Sequence, residues 1–256
     1  MIQRKPFLIT LLFTFFSVGS ISITFSQPSL FNYEMYVSDN GDTLKYRQLM
    51  SDYDPDSKYP LVIFLHGAGE RGNDNEAQLK WGVMNFASSD NMKKYPSIII
   101  APQCPRDKSW GNFSYDDMSL QPSPTQPMKL LMELIEQSIK NLPIDTSRIY
   151  ITGLSMGGFG TFDAVSRHPD LFAAAVPVCG GGDPSTASII SHIPMWIFHG
   201  ALDQSVHPRL SQNMVDALTN AGAQPGFTLY PEVGHFSWIA AYSDTMIMDW
   251  LYRQKK

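Results

Sequence analysis

The chain has few cysteines, few charged side chains and no cluster of lysines and arginines. Cys104 and Cys179 are the only cysteines among the 256 residues, and no cysteine–histidine set has the spacing of a zinc site. The formal net charge is −5. An acidic chain without a basic cluster argues against nucleic acid as a partner. No internal repeat or low-complexity tract is present, so we expect an ordinary globular protein.

One apolar run at the start of the chain is long, but it is shorter than the roughly 20 residues of a membrane-spanning helix. Arg4 and Lys5 precede it, and small polar residues follow Val18, which is typical of a secretory signal peptide cleaved after Ser26. No cysteine for a lipid anchor lies near that point. We therefore predict a signal peptide over 1–26, one domain over 27–256 with a net charge of −7 after loss of the two cations, and a secreted or periplasmic location without stable membrane insertion.

The rest of the sequence alternates short apolar runs with amphipathic segments. "NYEMYVSDNGDTLKYRQLM" contains two alternating runs around Asn40-Gly41, which predicts a β-hairpin. Six continuous apolar runs are typical of strands buried on both faces: "YPLVIFLHG", "PSIIIAPQ", "RIYITG", "LFAAAVPVCGG", "IPMWIFHG" and "GFTLYPEVGH". Helical patterns such as "PMKLLMELIEQSIKNL" lie between them. This order predicts an α/β fold with a mostly parallel sheet of about eight strands and helices on both faces.

A serine is surrounded by glycines directly after one of these runs. Residues 153–157, "GLSMG", have the pattern G-x-S-x-G with Ser155 at its centre. The chain has to turn sharply from strand to helix here, so the hydroxyl projects, and glycines avoid clashes between Cβ atoms. The positive end of the following helix faces the same hydroxyl. We predict that Ser155 is a nucleophile; the alternative is a glycine-rich turn that serves packing alone.

A serine nucleophile needs a base, and the base needs an acid that orients it. In this strand–turn–helix setting the chain order is serine, acid, histidine. Asp203 follows "WIFHG" and His235 follows "LYPEVG", so both lie at the same edge of the sheet as Ser155. We predict Asp203 as the acid and His235 as the base. The competing acids fit less well, because Asp183 lies on the preceding loop and Asp244 follows the histidine.

The other histidines have structural explanations. His66 and His199 each precede a glycine at a strand end, where they are expected to be structural or to line the pocket. His168 is placed to cap a helix, and His192 falls in a loop. His207, also in a loop, is predicted at the rim of the site.

Two backbone N–H groups are expected to stabilise the oxyanion of the reaction. One belongs to Met156, and the other should come from "LVIFLHGAGERG", from Ala68 with Gly69 as the alternative. The same loop spells G-x-G-x-x-G (Gly67, Gly69, Gly72), the pattern of dinucleotide sites. Polar residues, "NDNEAQLKW", follow where a packed helix should begin, so we do not predict a nucleotide site. The predicted reaction requires no cofactor and no metal.

Residues 104–127 break the alternation of strands and helices. They carry proline, serine, aspartate and aromatic residues without an apolar period, and the segment is long for a connection. It follows a strand end on the side of the predicted site. Trp110, Phe113 and Tyr115 are therefore candidates for the wall of a cleft that suits an aromatic acyl group or a sugar face; the alternative is that they cover a flank of the sheet.

These motifs resemble those of the α/β-hydrolases, and more narrowly those of bacterial secreted esterases and "predicted peptidases" related to feruloyl and acetyl-xylan esterases and polyhydroxybutyrate depolymerases. The resemblance covers nearly all of the chain after residue 27. It implies the α/β-hydrolase fold and supports the roles given above to the serine, acid, histidine and oxyanion donors. It rests on "YPLVIFLHGAGERG", "APQCP" with Trp110 downstream, "DTSRIYITGLSMGGFGTFDAVSRHPDLFAAAVPVCGGGD", "IPMWIFHGALDQSV", and "GHFSWIAAY" with "DWL" near the end.

The resemblance also bears on Trp238 and the two cysteines. Trp238 resembles the family's pocket tryptophan, although it could equally anchor the last helix in the core. The family's strand order would separate the sheet ends near Cys104 and Cys179 by three strand spacings, roughly 14 Å. A disulfide would then need help from the loops, so we expect two free or buried thiols.

The sequence thus predicts a secreted serine hydrolase of carboxylic esters that acts through an acyl-enzyme. The predicted substrate is a small-molecule or polysaccharide-linked ester, contacted by Gly69, Trp110, His207 and Trp238. A serine peptidase of the prolyl-oligopeptidase-like type is the first alternative, because the same groups cleave amides. The length leaves no room for a substrate-gating domain, which favours esters. A non-catalytic carbohydrate-binding module on the same scaffold is the second alternative.

Overall fold

The computed structural model describes residues 30–50, 54, 56–114 and 116–256. The predicted signal peptide and Tyr115 lie outside the described residues. Ten strands are present in this part of the chain: β1 (Asn32–Val37), β2 (Thr43–Met50), β3 (Tyr59–Leu65), β4 (Ile98–Pro102), β5 (Phe113–Ser114), β6 (Ser119–Leu120), β7 (Ile144–Leu154), β8 (Ala174–Val178), β9 (Trp196–Gly200) and β10 (Gly226–Tyr230).

Eight of these strands form one sheet in the order β1-β2-β4-β3-β7-β8-β9-β10. The first two strands are the predicted hairpin, and Gly41 in its turn has a φ of 83°, which glycine adopts without strain. Strand β2 also runs antiparallel to β4, whereas β3, β4, β7, β8, β9 and β10 are mutually parallel. Each predicted apolar run is a strand, so the expected α/β-hydrolase architecture is confirmed.

Helices cover both faces of the sheet because each one presents an apolar stripe to it. One buried cluster includes residues of α3, α4, α5 and α6, and a second includes residues of α1, α7 and α8 on the opposite face. The helices are α1 (Val83–Phe86), α2 (Ser89–Lys94), α3 (Gln126–Asn141), α4 (Met156–Arg167), α5 (Ala187–Ile190), α6 (Arg209–Asn220), α7 (Ser237–Ser243) and α8 (Thr245–Leu251). Among these described helices, none has both the length and the apolar character of a bilayer span.

Parallel strands place their carboxyl ends at one edge of the sheet, where ligands of open α/β sheets bind. Strand β3 ends at Leu65, β7 at Leu154, and β9 at Gly200. The loops after these strands carry the predicted oxyanion donor, nucleophile and acid, and the loop after β10 carries the predicted base. The topology therefore gathers four separate stretches of sequence above one edge.

The long connection between β4 and α3 is tied to the body of the protein. Its two short strands pair with each other, and the backbone N–H of Leu120 donates to the carboxylate of Asp183. Arg167 on α4 donates to the carbonyls of Gln121 and Pro122 and is paired with Asp163 at 2.6 Å. The described residues of 104–127 are thus held against α4 and the loop that follows β8.

Candidate active site

Ser155 occupies a strained turn between β7 and α4. Its φ is 53°, a left-handed value that is costly for a residue other than glycine. The turn fits against the sheet only because its neighbours lack side chains: a Cβ on Gly153 would lie 2.5 Å from the Gly157 carbonyl oxygen, and a Cβ on Gly157 would overlap the Leu65 carbonyl. The pattern of glycines therefore serves close backbone approach, and Ser155 lies half-buried at the edge of the sheet.

His235 lies between Ser155 and Asp203 and is within hydrogen-bond distance of both. Its Nε2 is 3.0 Å from Ser155 Oγ, and its Nδ1 is 2.7 Å from Asp203 Oδ2. Since a carboxylate accepts, Nδ1 carries the proton and Nε2 is free to accept one from the serine hydroxyl. The structure thus brings together the three residues predicted to form the catalytic group.

The Asp203 side chain is fully buried, yet it is held in the ionised form. Burial alone would raise the pKa of Asp203, but donors surrounding the carboxylate outweigh it and keep the pKa below its usual range. Besides His235, these are the backbone N–H groups of Ser205 and Val206, at 2.8 and 2.9 Å from Oδ1. The same bonds fix the orientation in which the carboxylate meets the imidazole.

A second histidine also contacts Asp203. His199 Nε2 lies 3.2 Å from Asp203 Oδ2 and 2.9 Å from the Val206 carbonyl oxygen, and its Nδ1 lies 2.7 Å from Ser211 Oγ. Burial lowers the pKa of His199, which favours the neutral ring. The structural role expected for His199 fits these contacts, but its position against the acid was not predicted.

Two backbone N–H groups next to Ser155 are available to a ligand. Those of Ala68 and Met156 donate no hydrogen bond to any group in the described part of the chain. Both residues line the same cleft as Ser155. They are the two donors predicted for an oxyanion, and they begin a short 3₁₀ turn (Ala68–Glu70) and helix α4, respectively.

His66 holds the loop that carries Ala68. Its Nδ1 donates to the Gly67 carbonyl at 2.6 Å, and its Nε2 accepts the Cys104 backbone N–H at 2.9 Å. Burial lowers the pKa of His66 to about 4, so the ring is neutral near pH 7. The Trp110 ring N–H donates to the His66 carbonyl, which links residues 104–127 to the same loop.

Ser155 lies between two clefts of different chemistry. The first, of about 460 Å³, is here called the polar cleft; its lining includes Arg71, Ser109, Asn112, Phe113, Thr125 and Val206. The second, of about 350 Å³, is called the aromatic cleft; its lining includes Glu70, Lys80, Trp81, Phe236 and Trp238. Both contain Ala68 and Ser155, so they extend to either side of the hydroxyl. An ester bound at Ser155 has room for one substituent in each.

The comparisons with known proteins agree with this geometry. The family model for phospholipases and carboxylesterases matches residues 53–246. The chain belongs to that family. A solved thermostable esterase is 37% identical, with a TM-score of 0.84 over 89% of this chain and 64% of the other. A probable feruloyl esterase C of Aspergillus niger is 25% identical over 82% of this chain and 73% of its own length.

A further relative of this carboxylesterase-family chain is a bifunctional acetylxylan esterase/xylanase of Neocallimastix patriciarum, 26% identical over 56% of this chain. The match spans only 19% of that protein. Several curated relatives are therefore much longer than the region they share with this chain. The fold and the family are shared with them, and their substrates belong to those proteins.

The predicted substrate contacts have different outcomes. Trp238 and Gly69 line the aromatic cleft, and Trp238 also packs edge-on against His235 with ring centroids 5.2 Å apart. The prediction for Trp110 was wrong: its side chain is fully buried, and its neighbours Ser109 and Gly111 line the polar cleft instead. His207 is exposed and accepts the Arg209 backbone N–H, so its role at the rim stays a prediction.

Several residues of the two clefts were not predicted from the sequence. Arg71 belongs to a loop that was interpreted only through its glycines, and Trp81 lies in the polar stretch that follows it. Phe236 directly follows His235, is 56% exposed, and has its ring centroid 4.7 Å from that of Trp238. The aromatic residues on either side of Ser237 in "HFSW" were the available signal for this cleft.

Both cysteines of the chain are free and buried, as expected. Burial raises the pKa of the Cys104 and Cys179 thiols to about 12, so both are neutral. Cys179 nevertheless lies close to the site, with its Sγ within 4.8 Å of side-chain atoms of Asp203 and His235. It fills space beneath the three predicted catalytic residues.

Proposed function

We propose that the protein hydrolyses carboxylic esters, with Ser155 as the nucleophile of an acyl-enzyme mechanism. The observation that carries this proposal is the position of His235, bonded on one side to Ser155 at 3.0 Å and on the other to Asp203 at 2.7 Å. This arrangement accounts directly for a strained serine that lines both clefts. Family membership and the 37% identical esterase support the same reaction class.

The reaction proceeds in two halves. In the first, His235 Nε2 takes the Ser155 proton as Oγ attacks the ester carbonyl, and Asp203 stabilises the imidazolium. The N–H groups of Ala68 and Met156 donate to the oxyanion. Collapse of the tetrahedral intermediate expels the alcohol, which receives the proton from His235. In the second half, His235 activates a water that attacks the acyl-enzyme and releases the acid.

The aromatic cleft supports an aromatic or sugar-bearing substituent on the ester. Trp81, Phe236 and Trp238 form contiguous ring contacts with centroids 4.7 to 6.2 Å apart. Such surfaces bind planar acyl groups and the flat faces of sugars. We propose acylated plant polysaccharides or feruloyl and acetyl esters as substrates, and export to the periplasm or the medium as the place of action.

A substrate panel tests the proposal. p-Nitrophenyl acetate, p-nitrophenyl butyrate, a feruloyl ester and a peptide anilide are compared with wild-type protein, Ser155→Ala and, as a matched control, Ser191→Ala, a half-buried serine that lines neither cleft. We expect ester hydrolysis by wild type and Ser191→Ala and its loss in Ser155→Ala. A preference for the anilide would identify a peptidase, and no hydrolysis of any substrate would favour a binding module.

A further inference from the structure

Arg71 is the one charged residue in the lining of the polar cleft. No carboxylate of the described residues lies within ion-pair distance of its guanidinium, and its Nε is buried without a hydrogen-bond acceptor. Uncompensated cations and unpaired buried donors are costly in a folded protein. The guanidinium therefore lies in the lining of the cleft that contains Ser155, where it can pair with an anionic ligand.

The cation in the other cleft has a carboxyl group in the same lining. Burial raises the pKa of Glu70, and the charge of Lys80 opposes that rise, although no ion pair joins the two among the described residues. Lys80 is also exposed and lies over the Trp81 ring, at 5.1 Å from its centroid. The aromatic cleft thus contains one acid and one base, whereas the polar cleft contains a single uncompensated positive charge.

The groups beside Arg71 do not neutralise it. The guanidinium contacts the thiol of Cys104, whose pKa burial raises to about 12, so the sulfur carries no charge. The neighbouring His66 is neutral as well, since burial lowers its pKa to about 4. The charged groups that also act on these two residues, Asp74 and Lys108, lie outside the lining of the polar cleft.

The backbone around Arg71 is fixed by Gln103. The Gln103 amide donates to the Glu70 carbonyl at 3.1 Å and accepts the Asn75 N–H at 2.7 Å, and the Gly72 N–H donates to the Cys104 carbonyl at 3.0 Å. A Cβ on Gly72 would lie 2.9 Å from the Gln103 amide nitrogen, so a larger residue there would displace this amide. The loop therefore presents Arg71 in a preset position, which lowers the entropy cost of ligand binding.

We propose that the polar cleft binds an anionic group of the substrate, a carboxylate, through the guanidinium of Arg71, beside the ester attacked by Ser155. This specificity rests on the proposed ester hydrolysis. Arginine suits the role because its planar fork can donate two parallel hydrogen bonds to a carboxylate. The carboxylate belongs either to the acyl part, as in a hemiester of a dicarboxylic acid, or to the alcohol part, as in an ester of a hydroxy acid or uronic acid.

Two pairs of substrates distinguish these sources. Mono-p-nitrophenyl succinate and p-nitrophenyl butyrate differ in charge on the acyl side, and 4-acetoxybenzoate and phenyl acetate differ on the alcohol side. For each pair we take the kcat/KM of the anionic ester divided by that of the neutral ester, corrected for the rates at which hydroxide hydrolyses the two esters. This ratio is measured for wild type, Arg71→Gln, Arg71→Lys and the exposed control Arg253→Gln.

We expect one pair to show a wild-type ratio above 1 that falls about tenfold or more in Arg71→Gln, the effect of losing a charge-assisted hydrogen bond. Arg71→Lys should recover part of the ratio, Arg253→Gln should leave it unchanged, and 0.5 M salt should reduce it in wild type. The pair that responds identifies the side that carries the carboxylate.

Ratios at or below 1 in wild type for both pairs, together with normal hydrolysis of the neutral esters, would overturn the carboxylate proposal and leave the esterase proposal intact. Failure of wild type to hydrolyse the neutral esters would instead contradict the esterase proposal. If thermal unfolding shows that Arg71→Gln folds poorly, competitive inhibition of wild type by succinate or benzoate at low salt is measured instead. Inhibition that is relieved by added salt would support the proposal. Absence of inhibition would refute it.

Discussion

His199 Nε2 lies 3.2 Å from Asp203 Oδ2, the same oxygen that accepts the hydrogen bond from His235 at 2.7 Å. Both rings therefore contact one carboxylate oxygen, His199 from the strand β9 and His235 from the loop after β10. His199 is held in turn by Ser211 on α6. Asp203 thus contacts a buried histidine that lines neither of the two clefts.

We predict that His199→Asn lowers kcat and leaves KM nearly unchanged. A hydrogen bond to a charged group contributes about 1.5–3 kcal/mol, so its loss should reduce the rate roughly 10- to 100-fold. Steady-state kinetics with p-nitrophenyl acetate measure this, with the exposed His192→Asn as the matched control. An unchanged kcat in a folded His199→Asn protein would show that the backbone bonds to Asp203 suffice for orientation.

Aromatic substrates should depend on Trp81 and not on Phe113, because the first lines the aromatic cleft and the second the polar cleft. Loss of one ring contact costs about 1 kcal/mol or more. Trp81→Ala should therefore lower the kcat/KM ratio of feruloyl over acetyl ester several-fold, and Phe113→Ala should leave it near the wild-type value. The reverse result would assign the acyl group to the polar cleft.

The glycines of the serine turn are predicted to be required for stability. A Cβ on Gly157 would overlap backbone atoms of Leu65 and His66, which cannot move without shifting the sheet. Gly157→Ala should lower the free energy of unfolding by at least about 3 kcal/mol. Gly69→Ala, where no heavy atom lies within 4 Å of the added Cβ, should change it by only about 0.5 kcal/mol. Urea denaturation measures both, and equal effects would contradict the packing argument.

The folded protein should lose stability between pH 7 and pH 4, in part through His66. Burial lowers the pKa of His66 from 6.5 to about 4, so over this range the unfolded chain binds the proton and the folded chain does not. Stability is therefore lost as pH falls, by about 3 kcal/mol at pH 4 for this one group. Buried His199 and half-buried His168, whose pKa values burial also lowers, act in the same direction.

The variant His66→Gln separates this contribution from the others. It should be less stable than wild type at pH 7, because the ring bridges Gly67 and Cys104, but its stability should vary less with pH. The exposed His192→Gln serves as the control. If the free energy of unfolding of His66→Gln falls with pH as steeply as that of wild type, groups other than His66 cause the acid sensitivity.

The strands, the serine turn and the order of the three predicted catalytic residues were readable from the sequence, because each depends on local patterns. An apolar run followed by G-x-S-x-G favours a sharp strand-to-helix turn, and the loops after parallel strands meet at one edge. The clefts depend instead on which distant side chains meet across loops of irregular conformation. Neither Arg71 nor Trp81 belongs to a periodic segment, so nothing local indicated that they flank Ser155.

Trp110 is a second case in which contacts between distant residues were not readable from the sequence. Its loop has no apolar period, which favoured an exposed aromatic, yet the ring is fully buried. The side chain packs against Gly160 of α4, where a Cβ would overlap the Trp110 Cβ, and the ring N–H bonds to His66. A glycine five residues after the serine therefore makes room for a tryptophan fifty residues earlier in the chain.

The most direct test of the mechanism is the site of covalent reaction with a fluorophosphonate, located by peptide mapping and followed over time. We predict one adduct, on Ser155, that is absent in Ser155→Ala and forms roughly 10³–10⁴ times more slowly in Asp203→Asn. The Asp244→Asn variant, which keeps an N-cap residue on α8, should react as wild type does. An adduct on a different residue, or ester hydrolysis that persists in Ser155→Ala, would contradict the account.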